Sequence, residues 1–309
     1  MKLVNEKQPF NSQDDEATAK LHALVRGASL EATPRQILTT EYLSDLLPAG
    51  TCVYVPFLPK GQFSDTLEAC RHLLSLGMQP IPHVPARMAE SRGQLRDWLS
   101  QLDESHIDRL LLIAGDSDSV AGPFPDTLAV LESGLLAQFR FHGIGVAAHP
   151  DGHPMADRAT LGQALGIKRE YARSTSTRLW VVTQFTFDAD VVIDWLQSLG
   201  DVLEEVPVDI GMAGPTRMKT LIAYAAQCGV GVSARAMLRR PGSARLLRSW
   251  TPDSMVQALV RYCLDNPDTL LRGIHLFPFG GLRQSAQWIQ EHSGSLEDQR
   301  GQFHESSVQ

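Results

Sequence analysis

Eight short apolar runs, each followed by a stretch with helical spacing, constrain the fold of this 309-residue chain more than any other feature. The runs are GASLEAT (27–33), CVYVPFL (52–58), QPIPHVPA (79–86), RLLLIAGD (109–116), GIGVAAH (143–149), RLWVVTQFTF (178–187), VPVDIGM (206–212) and RGIHLFPF (272–279). They are almost continuously hydrophobic rather than alternating, as expected of strands covered on both faces. Between them lie amphipathic segments. Leu67, Cys70 and Leu74 recur at helical spacing in 64–77, and Leu95, Trp98, Leu99 and Leu102 do so in 91–106. Ser64 and Ser91 are candidate N-caps and Gly77 a candidate C-cap. The seventh connection, 213–270, is long enough for extra helices, one of them in TPDSMVQALVRYCLDNP.

Eight strand–helix units of this rhythm predict an α/β fold, a single (β/α)8 TIM barrel over residues 23–293 with extra helices in the seventh connection. A polar N-terminal arm (1–22) and a polar C-terminal tail (294–309) are expected to flank it. The competing architecture, an open doubly wound sheet, calls for a glycine-rich fingerprint after an early strand, and no GxGxxG occurs. A barrel places its active site at the C-terminal strand ends. The polar residues expected there are Glu31, His83, Asp116, His149, Asp151, His153, Gln184, Asp188, Asp209 and His275.

Composition narrows the function classes. The formal net charge is −7 and no dense basic stripe is visible, which argues against general nucleic-acid binding. No run of apolar residues is long enough for a membrane span, and the N-terminus is too polar for a signal peptide. The four cysteines, Cys52, Cys70, Cys228 and Cys263, form no CxxC pair, so free thiols in the cytoplasm are expected.

The stretch AAHPDGHP (147–154) puts His149, Asp151 and His153 within five positions. A metal site is one reading. HxxxH is a metal spacing mainly on a helix, however, and Pro150 and Gly152 prevent one here. Histidines satisfying loop backbone groups are another reading. Glu31 ends the first run. A carboxyl in a partly apolar mouth has its pKa raised by desolvation, which suits a general acid, although pairing with Arg35 or Arg87 is the alternative. Asp116 ends the fourth run after Gly115, which permits close ligand approach, though an Asx-turn is common for such an Asp. Gln184 lies in a very apolar run, where its amide needs partners: a planar heterocycle, or a neighbouring strand.

Taken in order, SLEATP, PHVPAR, LLLIAGD, GIGVAAHPDGHP, IKRE, VVTQFTFD and VPVDIGMAG resemble the methylenetetrahydrofolate reductase family, from about residue 27 to 215 and more weakly to about 290. The resemblance implies FAD at the barrel mouth, NADH or NADPH as electron donor, and reduction of 5,10-methylenetetrahydrofolate to 5-methyltetrahydrofolate by ping-pong exchange. It makes HPDGHP a flavin-contacting loop. It implies that Glu31 is the proton donor that opens the folate's methylene bridge, and that Asp116 tunes the flavin and approaches the pterin. Gln184 would bond the pterin, and Met218 would stand where the family has a stacking phenylalanine. His83, Gly115, His149 and His153 would line the flavin pocket, and Arg169 would approach its ribityl–phosphate portion. A homo-oligomer is expected.

The chain departs from the family pattern at Pro56, Ala114, His149, Glu170 and Met218, mostly on the flavin side. Glu170 sets a carboxylate where a pyrophosphate is expected, which is unfavourable. Alternative readings are therefore a folate-binding paralogue with flavin-independent or methyl-transfer chemistry, and a non-catalytic folate-binding protein. Retention of Glu31 opposes the last, because folate binding alone needs no proton donor.

Overall fold

The computed structural model describes residues 12–58, 60–115, 119–227 and 249–294. Eight parallel strands close into a barrel. In chain order they are β1 (Ser29–Glu31), β2 (Cys52–Val55), β3 (Gln79–Pro85), β4 (Arg109–Ile113), β5 (Gly143–Ala148), β6 (Arg178–Thr183), β7 (Val208–Ala213) and β10 (Leu271–Phe277). Between β7 and β10 lies a small antiparallel pair, β8 (Thr216–Arg217) and β9 (Ser249–Trp250). The chain is a (β/α)8 TIM barrel.

All eight expected runs contain a strand, but most strands stop short of the run's C-terminal end. Residues 56–58, 114–115, 184–187 and 278–279 continue the apolar pattern into rim loops. There Phe185 and Phe279 pack with Phe277, the last residue of β10, with ring centroids 4.8–5.8 Å apart.

Inward and outward residues alternate along each strand. Leu30, Val53, Val55, Leu110, Leu112, Ile144 and Val146 belong to the large cluster between strands and helices. Tyr54, Ile81, Leu111, Trp180 and Val182 form a second cluster inside the barrel. There the Trp180 indole N–H donates to Tyr54 Oη at 2.8 Å. Room for that indole comes from Gly143 and Gly145 on the adjacent strand, where a Cβ would meet the ring at 2.8 and 2.7 Å.

The helices follow from local signals. Helix α4 (Phe63–Ser75) starts one residue before the expected cap Ser64; Gln62 is the cap, with its N–H bonded to Asp65 Oδ2 at 3.1 Å. Gly77 at φ +75° supplies the left-handed turn after it. Ser91 caps α5 (Arg92–Glu104), accepting from the Gln94 N–H at 3.1 Å. The seventh connection carries α10 (Met218–Gln227) and a helix over Asp253–Asp265. The expected boundary at residue 22 falls inside α1 (Ser12–Arg26), whose Leu24 and Val25 are buried in the main core. A polar segment is thus helical from residue 12, because its few apolar residues fall on one face.

Candidate functional site

Two features occupy the C-terminal end of the barrel: a central mouth and a lateral cavity. Glu31, last residue of β1, points into the mouth with its side chain 25% exposed. Its Oε2 lies 3.7 Å from Nε2 of His83, an inward residue of β3 that is 11% exposed. Burial pushes His83 down to about 4, so the ring is neutral at neutral pH. His83 Nε2 makes no hydrogen bond. Beneath the pair, His275 Nδ1 and Ser29 Oγ share a hydrogen bond of 2.9 Å, and burial pushes His275 down to about 3.

Gln184 owes its place to a β-bulge. The β6–β7 register slips by one residue between Val182↔Asp209 and the bridge Thr186↔Met212. An extra residue at a barrel rim re-aims a side chain. Gln184 Oε1 accepts from the Phe185 N–H at 3.1 Å, which leaves its amide NH2 as the available donor. Met218 begins α10 and packs with Ala213, Leu221 and Trp250 in an apolar cluster. Tyr224 of the same helix stacks on Phe279, with centroids 4.3 Å apart.

The lateral cavity, about 280 Å³, opens between the ends of β4 and β5, α6 (Thr127–Glu132) and α7 (Arg158–Thr175). His149, His153, Arg87, Arg158, Asp126 and Lys168 supply its ionisable lining. Pro150 and Asp151 turn the chain, with the Gly152 N–H donating to His149 O at 3.0 Å. This brings the rings of His149 and His153 edge to face at 4.7 Å. The Met155 N–H donates to His153 Nδ1 at 3.1 Å. Burial, then the charges of His153 and Lys168, push His149 down to about 4. No cluster of three or more His, Cys, Asp or Glu suited to a metal occurs among the described residues.

Lys168 is the residue that sequence reasoning missed. Only 8% exposed, it lines the cavity, and burial pulls its ammonium down to about 8 against the attraction of Asp126. No hydrogen bond or ion pair holds it among the described residues. Periodicity could have found it: Leu165, Lys168 and Ala172 form the buried stripe of α7. Arg169, expected at the cofactor phosphate, turns the other way. It donates to the carbonyls of Asp201 and Val202 at 3.2 and 2.9 Å and pairs with Glu204 at 2.8 Å. One step along a helix is about 100°, so neighbours cannot share a face.

Three residues expected at the rim serve other roles. Asp209 is the second residue of β7, at the barrel's opposite end, where it pairs with Arg272 at 2.7 Å. Asp188 caps α8 (Ala189–Ser198), accepting from the Asp190 N–H at 3.0 Å. His275 is buried below the mouth. Gly115 follows β4 at φ +93°, with Pro85 so close that a Cβ would lie 3.2 Å from it. Asp116 lies outside the described residues.

The fold and this arrangement define a (β/α)8 protein with a polar, aromatic-walled mouth and a cationic side cavity. No family model matches the chain. A Clostridium thermocellum protein of uncharacterised function, which binds two copies of 5-methyl-5,6,7,8-tetrahydrofolic acid, is similar in fold: TM-score 0.56 and 12% identity over 85% of this chain and 95% of that one. Tryptophan synthase from M. tuberculosis in ligand-free form gives a TM-score of 0.45 and 10% identity, over 93% of this chain and 99% of that one.

Proposed function

We propose that the chain is a folate-acting oxidoreductase, reducing 5,10-methylenetetrahydrofolate to 5-methyltetrahydrofolate with NADH or NADPH through bound FAD. The observation that carries this reading is the inward-facing carboxyl of Glu31, set beside a neutral histidine at the mouth of a closed barrel. Folate binding by the Clostridium thermocellum protein of like fold supports the substrate class.

The lateral cavity fits the anionic part of the cofactor. A buried ammonium with no hydrogen-bond partner costs stability unless an anion completes it. Lys168, with Arg87 and Arg158 on the same lining, would hold the diphosphate. His149 and His153 would border the ribityl chain. When bound, FAD supplies a hydride carrier between the nicotinamide and the folate.

The chain's own residues do the rest. Glu31 gives its proton to a bridge nitrogen of the folate; that C–N bond breaks, and the iminium carbon becomes able to accept hydride. The amide NH2 of Gln184 binds an acceptor on the pterin, and Phe185, Phe277 and Phe279 keep water from the reacting carbon. By the resemblance to the reductase family, Asp116 would tune the flavin and approach the pterin.

A second reading, a folate-binding barrel without flavin, draws on Arg169, which is held by Glu204 instead of facing the cavity. One experiment separates the two and tests the acid. The purified protein should be yellow, and NAD(P)H should bleach it. Stopped-flow of Glu31→Gln should then show normal flavin reduction, with hydride transfer to the folate at least about a hundredfold slower. A colourless protein that ignores added FAD removes the flavin. An unimpaired oxidative half-reaction removes Glu31 as the acid.

A further inference from the structure

The contact between His83 and Glu31 assigns the histidine a role other than lining a flavin pocket. We propose that His83 is a positioning residue: its Nε2 accepts a hydrogen bond from the protonated carboxyl of Glu31 and holds that acid protonated at the mouth. This rests on reading Glu31 as the proton donor.

Among the described residues, the carboxylate that stands against His83 Nε2 is Glu31. The nitrogen is buried without a hydrogen bond, and Glu31 Oε2 stands 3.7 Å away, a gap that a small side-chain rotation closes. Tyr54, from the intervening strand β2, presents its ring at 76° to the imidazole at a centroid distance of 6.3 Å. His275 is already bonded to Ser29. Among the described residues, Tyr54 and His275 pack about the pair; burial pushes Tyr54 well above its ordinary value and His275 far below, so both are neutral. Asp209 acts on Tyr54 from below. Asp116, beyond the end of β4, lies outside the described residues.

A neutral imidazole carries one N–H and one lone pair. If Nε2 bears the proton, it bonds the carboxylate anion and disfavours the acid. If Nε2 bears the lone pair, it bonds the carboxyl O–H and favours the acid. Burial penalises charge on either partner, so the pair with neither charged is the one this environment selects. The proton then sits on Glu31, on the oxygen nearest the histidine, within the carboxyl that also faces the mouth.

Two NMR measurements test this without flavin or folate. In ¹⁵N spectra of the wild-type protein, assigned through His83→Gln, His83 should be the Nδ1–H tautomer with an unprotonated Nε2; an Nε2–H tautomer overturns the proposal. In protein carrying ¹³C-labelled glutamate carboxyls, with Glu31 assigned through Glu31→Gln, the Glu31 titration midpoint should fall by at least about one pH unit in His83→Phe, a tenfold loss of the acid form. His83→Gln, whose carbonyl can accept the same bond, should restore much of it. A midpoint that stays or rises in His83→Phe overturns the proposal, and the tautomer decides alone if that variant does not fold. Failure of Glu31→Gln to slow hydride transfer would instead remove the catalytic reading and leave these two spectra unaffected.

Discussion

Arg169 Nη1 lies 2.8 Å from Glu204, while its neighbour Lys168 lines the lateral cavity with a buried ammonium that no hydrogen bond or ion pair holds among the described residues. The two cations therefore do opposite things, and substitution should separate them. Lys168→Met should weaken binding of FAD, or of ADP as a fragment of it, by at least about tenfold, the loss of one charge-assisted contact. Arg169→Met should leave that affinity within about twofold and lower Tm instead, through its bonds to Asp201, Val202 and Glu204. Isothermal titration beside calorimetric melting reads both; equal affinity losses would contradict the division.

Lys168 also sets a pH signature in the ligand-free protein. Its folded pKa, about 8, lies below the ordinary value of 10.5. The unfolded chain thus binds the extra proton between those limits, and stability from this group is present above about pH 10.5 and lost as pH falls through 8. The full cost of the buried charge is roughly 2–4 kcal/mol. Lys168→Met should raise Tm at pH 7 and flatten the rise in stability from pH 8 to 10. A lower Tm at pH 7 would mean that the ammonium is stabilised by a partner.

Gln184 is predicted to matter in one half-reaction only. With its carbonyl occupied by the Phe185 N–H, its NH2 is what a pterin can use. Gln184→Ala should slow folate turnover about ten- to a hundredfold, the cost of one buried hydrogen bond, roughly 1–3 kcal/mol. Flavin reduction by NAD(P)H should hold within about twofold. Parallel losses in both, measured by stopped flow, would reassign the glutamine to the bulge itself.

The barrel interior predicts stability effects away from any ligand. Tyr54→Phe strands the buried Trp180 indole N–H and should cost about 1–3 kcal/mol in urea unfolding. Gly145→Ala places a Cβ 2.7 Å from the indole and should cost about as much or more, through overpacking. Near-neutral values at both positions would contradict the packing described.

His83, His149 and His275 all carry folded pKa values depressed below the ordinary 6.5, to about 4, 4 and 3. Each contributes stability that is present above about pH 6.5 and lost as pH falls through those values. Urea midpoints should decline steeply between pH 6.5 and 4, and His275→Asn should soften the decline. A flat profile over that window would show these rings to be solvated.

The barrel was legible because strands buried on both faces leave an unmistakable run of apolar residues, and eight of them could be counted. Rim and floor were harder to tell apart. Asp209 and Glu31 both sit in apolar runs, yet one stands second in its strand and pairs with Arg272, while the other ends its strand in the mouth. Single-residue strand boundaries decide this, and hydrophobicity that continues past the strand ends, as at Phe185 and Phe279, blurs them. Lys168 was hidden by its charge: a lysine on the buried stripe of a helix looks like a surface residue until the stripe is traced. Gln184 was placed by a bulge, which adds a residue without changing composition.

The charged floor has a consequence for traffic. At the N-terminal end, Asp209 bonds Arg272, while Arg109 bonds Gln79; directly above, Tyr54, Ile81, Leu111 and Trp180 fill the bore. The barrel is a vessel with a packed base, so a reactant that enters by the mouth finds no passage through the bore. Two reactants too large to sit there together must take turns, and the departure of the first becomes a condition for the arrival of the second. That ordering would be imposed by plumbing alone, before any chemistry distinguishes one visitor from the next.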